Sequence, residues 1–206
     1  MQSTWERIAP LTGAVFVVIT VATFASGGST PSDHDSALKV QAFYAKHHDK
    51  HSLLAFLIMF GVPFLLFFAS SLRHDLRRAG GSGQLANAAL AGGALAAAGI
   101  GLIASVHLAL ADAGASAKTL HTAQALNVLD ANDFLPAAAG IAVLVFAAGL
   151  SAVRHGGFAK WLGWVGIVVG VLTFTPVGFF ALLLSLLWIV VVSIMLTTAR
   201  RAAPAT

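Results

Sequence analysis

Long apolar runs alternate with short polar segments along this chain, at intervals that match crossings of a membrane. Runs at about 8–27, 52–72, 86–111 and 134–153 each approach the ~20 residues a helix needs to cross ~30 Å of hydrocarbon. A last stretch, 161–196, holds no charged residue and as one helix would reach about 54 Å, so it must turn back. The breaker is TPVG, Thr175 to Gly178, where Pro176 lacks a backbone donor and Gly178 permits unusual dihedrals. Two further spans, 160–175 and 177–197, are therefore expected as a hairpin. The first of them is only about 24 Å long, which leaves Thr173 and Thr175 to line a depression. The first apolar run follows Arg7 and ends in ASGG, a pattern that also fits a secretory signal peptide; it is expected to remain as a transmembrane helix.

Composition agrees. Of 206 residues 58% are hydrophobic and 10% charged, against about 25% charged in soluble domains. Mean hydropathy is +0.86. The expected fold is all-α: a polytopic membrane protein of six transmembrane helices in a single membrane domain, 1–206, with the lipid bilayer as its main partner. The absence of cysteine excludes disulfides, thiol chemistry and thiolate-bound metals. Nothing points to nucleic acid.

Charge sets the expected orientation. Arg73, Arg77 and Arg78 follow the second span, Arg154 and Lys160 separate the fourth from the fifth, and Arg200 and Arg201 follow the sixth, so the basic clusters share one side. Basic residues mark the cytoplasmic side, which places both termini inside a plasma membrane. The two long opposite loops, with Asp33, Asp35, Asp49, Asp112, Asp130 and Asp133, then form a small extracytoplasmic helical cap.

Small residues recur every fourth position in the third span, at Ala89, Gly93, Ala97, Gly101, Ser105 and Ala109, a stripe expected to form a packing seam. GGSG at Gly80 to Gly83 is a turn rather than a phosphate loop, since no strand precedes it and no Lys-Ser or Lys-Thr follows. No inverted internal repeat of the kind found in many transporters is visible.

Four of the eight histidines fall in HDSALKVQAFYAKHHDKH, His34 to His51. With Ser32 placed to cap, a helix from Ala37 would align Val40, Phe43, Tyr44, His47 and His51 on one face. His47 and His51 are one turn apart and point inward; His34 and His48 face water. The i, i+4 spacing suits zinc or copper, and the plainer reading is two amphipathic rings at the headgroup level. His107 sits inside the third span near its outer end, an intramembrane ionisable group and hence a candidate site. In the loop that follows, Asp133 and Pro136 read as the start signal of the fourth span, whereas Asp130 and Asn127 have no evident duty and His121 lies beside Gln124 on a short helix.

The stretches APLTGAVFVV, FYAKHHDK, QALNVLDANDFLPAAAG and KWLGWVGIVVGVLTFTPVGFF together resemble small six-span integral membrane proteins of actinobacteria, a group with no known function. The resemblance implies the six-span topology and transfers no site residue. The candidate ligand-binding residues are therefore His47, His51, His107, His121, Asp130 and Asp133, with His47, His51 and His107 as the metal candidates and no catalytic residue assigned. The leading expectation is a non-enzymatic membrane protein that binds a small solute, ion or lipid at an outward polar cleft, or serves as an accessory subunit or homo-oligomer. The alternatives are a metal-dependent enzyme or sensor, and a small transporter or channel.

Overall fold

The computed structural model describes residues 4–80 and 83–202. Gly81 and Ser82, the middle of the expected GGSG turn, and the side chain of Arg201 lie outside the described residues. The chain is an all-α polytopic membrane protein. A short helix, α1 (Thr4–Ile8), leads through a 3-10 turn, Ala9–Leu11, into α2 (Thr12–Gly27). There follow α3 (Ala37–Arg78), α4 (Gly83–Gly114), a 3-10 turn at Ala117–Thr119, α5 (Leu120–Asp130), α6 (Leu135–His155), α7 (Lys160–Leu172) and α8 (Gly178–Ala202). Among the described residues five helical stretches are long and apolar enough to cross a membrane, namely Trp5–Gly27, Ala37–Arg78, Gly83–Gly114, Leu120–His155 and Gly178–Arg200. The perimeter carries large apolar side chains, Val18, Phe24, Phe56, Trp161 and Phe180 among them, as helices immersed in lipid require.

The chain does break at TPVG, but α7 ends at Leu172, three residues before the expected limit, and is about 20 Å long. Residues 173–177 wind in tight hydrogen-bonded turns. The hydroxyls of Thr173 and Thr175 donate back to the carbonyls of Val169 and Leu172. A threonine in a helical last turn thus satisfies its hydroxyl hydrogen on the preceding turn.

The first long loop contributes no separate helix. Its helical part is the start of α3, which runs 42 residues into the second span. Ser36 rather than Ser32 is the N-cap: Ser36 is extended (φ −65°, ψ 150°) and its hydroxyl accepts from the Lys39 amide. Ser32 instead opens a turn whose carbonyl accepts from the Asp35 amide.

The expected small-residue stripe is half correct. Ala89, Gly93 and Ala97 are buried, and Gly93 meets Ala69 of α3, but Ser105 and Ala109 are exposed. A strict four-residue row advances about 40° around a helix at each step, so a long row leaves the interface it starts in. The tightest seam is a different one, between α4 and α6. A Cβ on Gly140 would lie 2.6 Å from Ala96 Cα and 2.7 Å from the Gly92 carbonyl, and one on Gly99 would lie 2.8 Å from the Pro136 carbonyl carbon. These helices touch backbone to backbone, which maximises dispersion contact where lipid offers no hydrophobic drive. A similar approach joins α6 to α7 through Gly149, Gly163 and Gly166, and there Trp188 of α8 is buried with its indole N–H donating to the Leu162 carbonyl at 2.8 Å.

The basic end of the bundle gathers the ends of α3, α6 and α8 and the starts of α4 and α7. Arg200 of α8 reaches across to Asp75 of α3 in a two-pronged pair of 2.7 and 3.1 Å, donates to the Ser71 hydroxyl at 3.0 Å, and also meets the Glu6 carbonyl. Both charged groups are largely buried, so removing one partner would strand the other at a cost of roughly 3–5 kcal/mol.

The glycine seam gives the first prediction. Gly140→Ala should lower unfolding stability by about 2 kcal/mol through overpacking, despite alanine's better helix propensity. Gly101→Ala, where the nearest group is the Met59 methyl at 4.0 Å, should be neutral or stabilising. Denaturant titration in bilayer nanodiscs followed by circular dichroism checks both.

Candidate functional site: a buried carboxylate–histidine–histidine chain

At the end of the bundle opposite the basic clusters, α5 lies against α3 and α4. Polar ties fasten this cap: Asn127 of α5, buried, donates to the Ser32 carbonyl at 2.9 Å, and Gln41 of α3 donates to the Ser116 carbonyl. Asn127 thus has the duty that its position in the sequence does not disclose. At the rim, the Lys39 ammonium, aided by the Ser32 amide, holds the Asp35 carboxyl below its usual carboxylate range.

Under the cap three side chains from three elements form one hydrogen-bonded line. His107 of α4 lies between Asp130, the last residue of α5, and His51 of α3. Its Nδ1 is 3.0 Å from Asp130 Oδ1 and its Nε2 is 2.9 Å from His51 Nδ1. With Asp130 ionised, one arrangement of hydrogens in two neutral rings satisfies both bonds. A carboxylate only accepts, so His107 carries its hydrogen on Nδ1, and its bare Nε2 then accepts from His51 Nδ1–H. The Nε2 of His51 is left as an acceptor. It is fully buried and has no partner among the described residues.

Two more buried polar atoms without partners among the described residues lie in the same region, the Tyr44 hydroxyl and Asp133 Oδ2. The Tyr44 ring stands edge-on to His51 at 5.0 Å between centroids and 6.3 Å from His107. Phe43 adds an edge contact to His51 at 5.4 Å. Asp133 interacts electrostatically with Asp130 and His107. Leaving a buried polar group unpaired costs roughly 1–3 kcal/mol, so three in one region single it out as the candidate site.

The candidates from the sequence separate here. His51, His107 and Asp130 are joined directly, and Asp133 belongs to their surroundings. Asp133 does not cap α6: that helix begins after Phe134 with no side-chain cap bond, and the connection from Asp130 continues in helical turns that leave Asp133 buried. His47 does not join the chain. The α3 backbone is non-helical at this residue (φ −118°, ψ 20°), its Nδ1 donates to the Phe43 carbonyl at 2.8 Å, and its ring lies 6.4 Å from that of His51. His121 is exposed on α5. His34 is solvated as expected, but His48 bridges Asp112 of α4 at 3.0 Å and Asp49 at 3.1 Å. His107 is deeper than expected: α4 continues to Gly114, about 10 Å beyond it. Tyr44 is the site residue that sequence reasoning did not select, although its separation of seven residues from His51 places both on one helical face.

A metal would need about 2.0–2.1 Å to each imidazole nitrogen. The nitrogens of His51 and His107 that face each other are hydrogen-bonded together, which leaves no room for an ion between them. Among the described residues no group of three or more histidine, aspartate or glutamate side chains is arranged to hold a metal. What the arrangement offers is a buried imidazole nitrogen and a buried carboxyl oxygen beside the Tyr44 and Phe43 rings. No known protein family, curated protein or solved structure matches this chain.

The proton arrangement is open to direct measurement. Nitrogen-15 NMR of histidine-labelled protein in bilayers at neutral pH should find hydrogen on Nδ1 of both His107 and His51. Asp130→Ala should remove the constraint on His107 and mix its tautomers.

Proposed function

We propose that this integral membrane protein binds a small cation bearing N–H donors, of the amine type, at His51, Asp133 and Tyr44, without chemical transformation. The observation that carries this reading is the buried Nε2 of His51, an acceptor by virtue of the chain behind it and without a partner. Asp133 Oδ2 is a second buried oxygen without a partner among the described residues, the Asp130 carboxylate favours positive charge, and the Tyr44 and Phe43 rings stand beside His51. In a water-excluded setting such acceptors discriminate strongly between a ligand that can donate and one of equal charge that cannot.

Two probes separate these properties. Methylammonium should raise the thermal stability of the protein in nanodiscs, by an amount approaching about 2.7 kcal/mol at a hundredfold excess over its dissociation constant, while tetramethylammonium should not. His51→Ala should abolish the difference. Equal shifts with both cations, or none with either, would overturn the reading.

The site's side of the membrane is part of the proposal. Arg73, Arg77, Arg78, Arg154, Lys160 and Arg200 support a plasma-membrane protein with its basic end and both termini cytoplasmic, so that the capped cluster faces outward. The chain has no cysteine, which gives labelling a clean background. A cysteine replacing the exposed His34 should react with an impermeant maleimide in intact cells, and one replacing His155 should react only after lysis. The reverse pattern would invert the orientation.

A further inference from the structure

The line from Asp130 to His51 is also a path from the cap surface to the buried site. Side-chain exposure is 20% at Asp130 and 12% at His107, and His51 is 0% exposed. Each link joins a donor nitrogen to an acceptor at 2.9–3.0 Å, short enough for a proton to cross without movement of the backbone. Each imidazole has two nitrogens, so each ring can accept at one and release at the other.

We infer that Asp130, His107 and His51 form a proton relay that drains the buried site to the cap surface. A proton reaching His51 Nε2, from an acidic N–H of a bound cation or from hydronium, forms an Nε2–H bond. The Nδ1–H bond of His51 breaks as its proton passes to His107 Nε2, and the Nδ1–H of His107 passes to Asp130 Oδ1. The carboxylate becomes a carboxylic acid, from which water removes the proton. Charge is conserved at every step, and the two rings end as their Nε2–H tautomers. The relay runs back by the same bonds or is reset by ring rotation.

The neighbours admit this direction. From α3, Tyr44 adds an unpartnered hydroxyl, His47 is held by the Phe43 carbonyl, and the Lys50 ammonium is turned away to the Gly27 carbonyl. From the α5–α6 connection, Asp133 stands near Asp130 and His107 but is bonded to neither, so it does not interrupt the line.

The relay deepens the binding proposal, resting on it only for the amine as proton donor, and acid alone tests it. On acidification of the protein in bilayers, infrared difference spectra should contain, beside the bands of the other carboxyls, a carboxylic-acid C=O component that is kept in Asp133→Asn and lost in Asp130→Asn. Nitrogen-15 NMR should show His51 and His107 passing together from Nδ1–H to Nε2–H. The side-chain amide introduced by Asp130→Asn keeps a carbonyl oxygen for His107 to bond, so the fold and the neutral-pH tautomers should survive while acid leaves the proton on the imidazoles. An imidazolium at His51 with His107 still protonated on Nδ1 in the unaltered protein, or carboxylic-acid bands that are identical in the unaltered protein and in Asp130→Asn, would overturn the relay. A relay without any effect of methylammonium would reject the amine reading alone.

Discussion

The backbone contact between α4 and α6 governs where everything else sits. Gly92, Gly99 and Gly140 leave no space for a Cβ, so the two helices lie as close as their main chains allow. In lipid this closeness is itself the adhesive, because dispersion replaces the hydrophobic drive that water would supply. The consequence reaches the site. Gly99 meets Pro136 and Ala137 at the start of α6, so the seam draws the preceding connection, and Asp130 and Asp133 with it, down against α4. His107 lies eight residues beyond Gly99, about two turns, with α3 on its other side. A wider seam would move Asp130 out of hydrogen-bonding reach of His107.

The cap cluster runs against stability. Tyr44, His51 and Asp133 each bury a polar atom without a partner, and phenylalanine, leucine or asparagine in their places would remove charge or unpaired atoms. Their environment also magnifies what they do, since low dielectric strengthens any hydrogen bond that is made. The contrast with Arg200 at the basic end is instructive. There the buried guanidinium meets two carboxylate oxygens, a hydroxyl and main-chain carbonyls, and holds α8, α3 and the N-terminal segment together. One buried polar centre is closed on itself, and the other has open valences.

The kink at His47 lets one helix serve both ends. Below it α3 is an apolar span packed on α2 and α4; above it the helix presents Val40 and Tyr44 to α4 and α5 in a small core with Leu110, Ala113 and Ala123. The ties of Gln41, His48, Asn127 and Lys50 around this core seat the cap over the line from Asp130 to His51.

Sequence by itself determined the class, the long apolar helices and the break at TPVG, because hydropathy and proline act through local chain chemistry. It also marked His51, His107 and Asp130 as groups needing a reason to be where they are. It could not join them: they are 56 and 23 residues apart, and no local rule reports a contact across three helices. It misjudged Asp133, since a capping signature in sequence does not reveal whether the turn before a helix leaves the side chain free to cap. It misplaced half of the packing stripe, because the face used depends on how α3 and α6 approach α4. Only the tertiary structure decided that His47 is diverted to a carbonyl, that Tyr44 belongs to the site, and that the line ends in a buried acceptor, since each follows from which surfaces the glycines allow to meet.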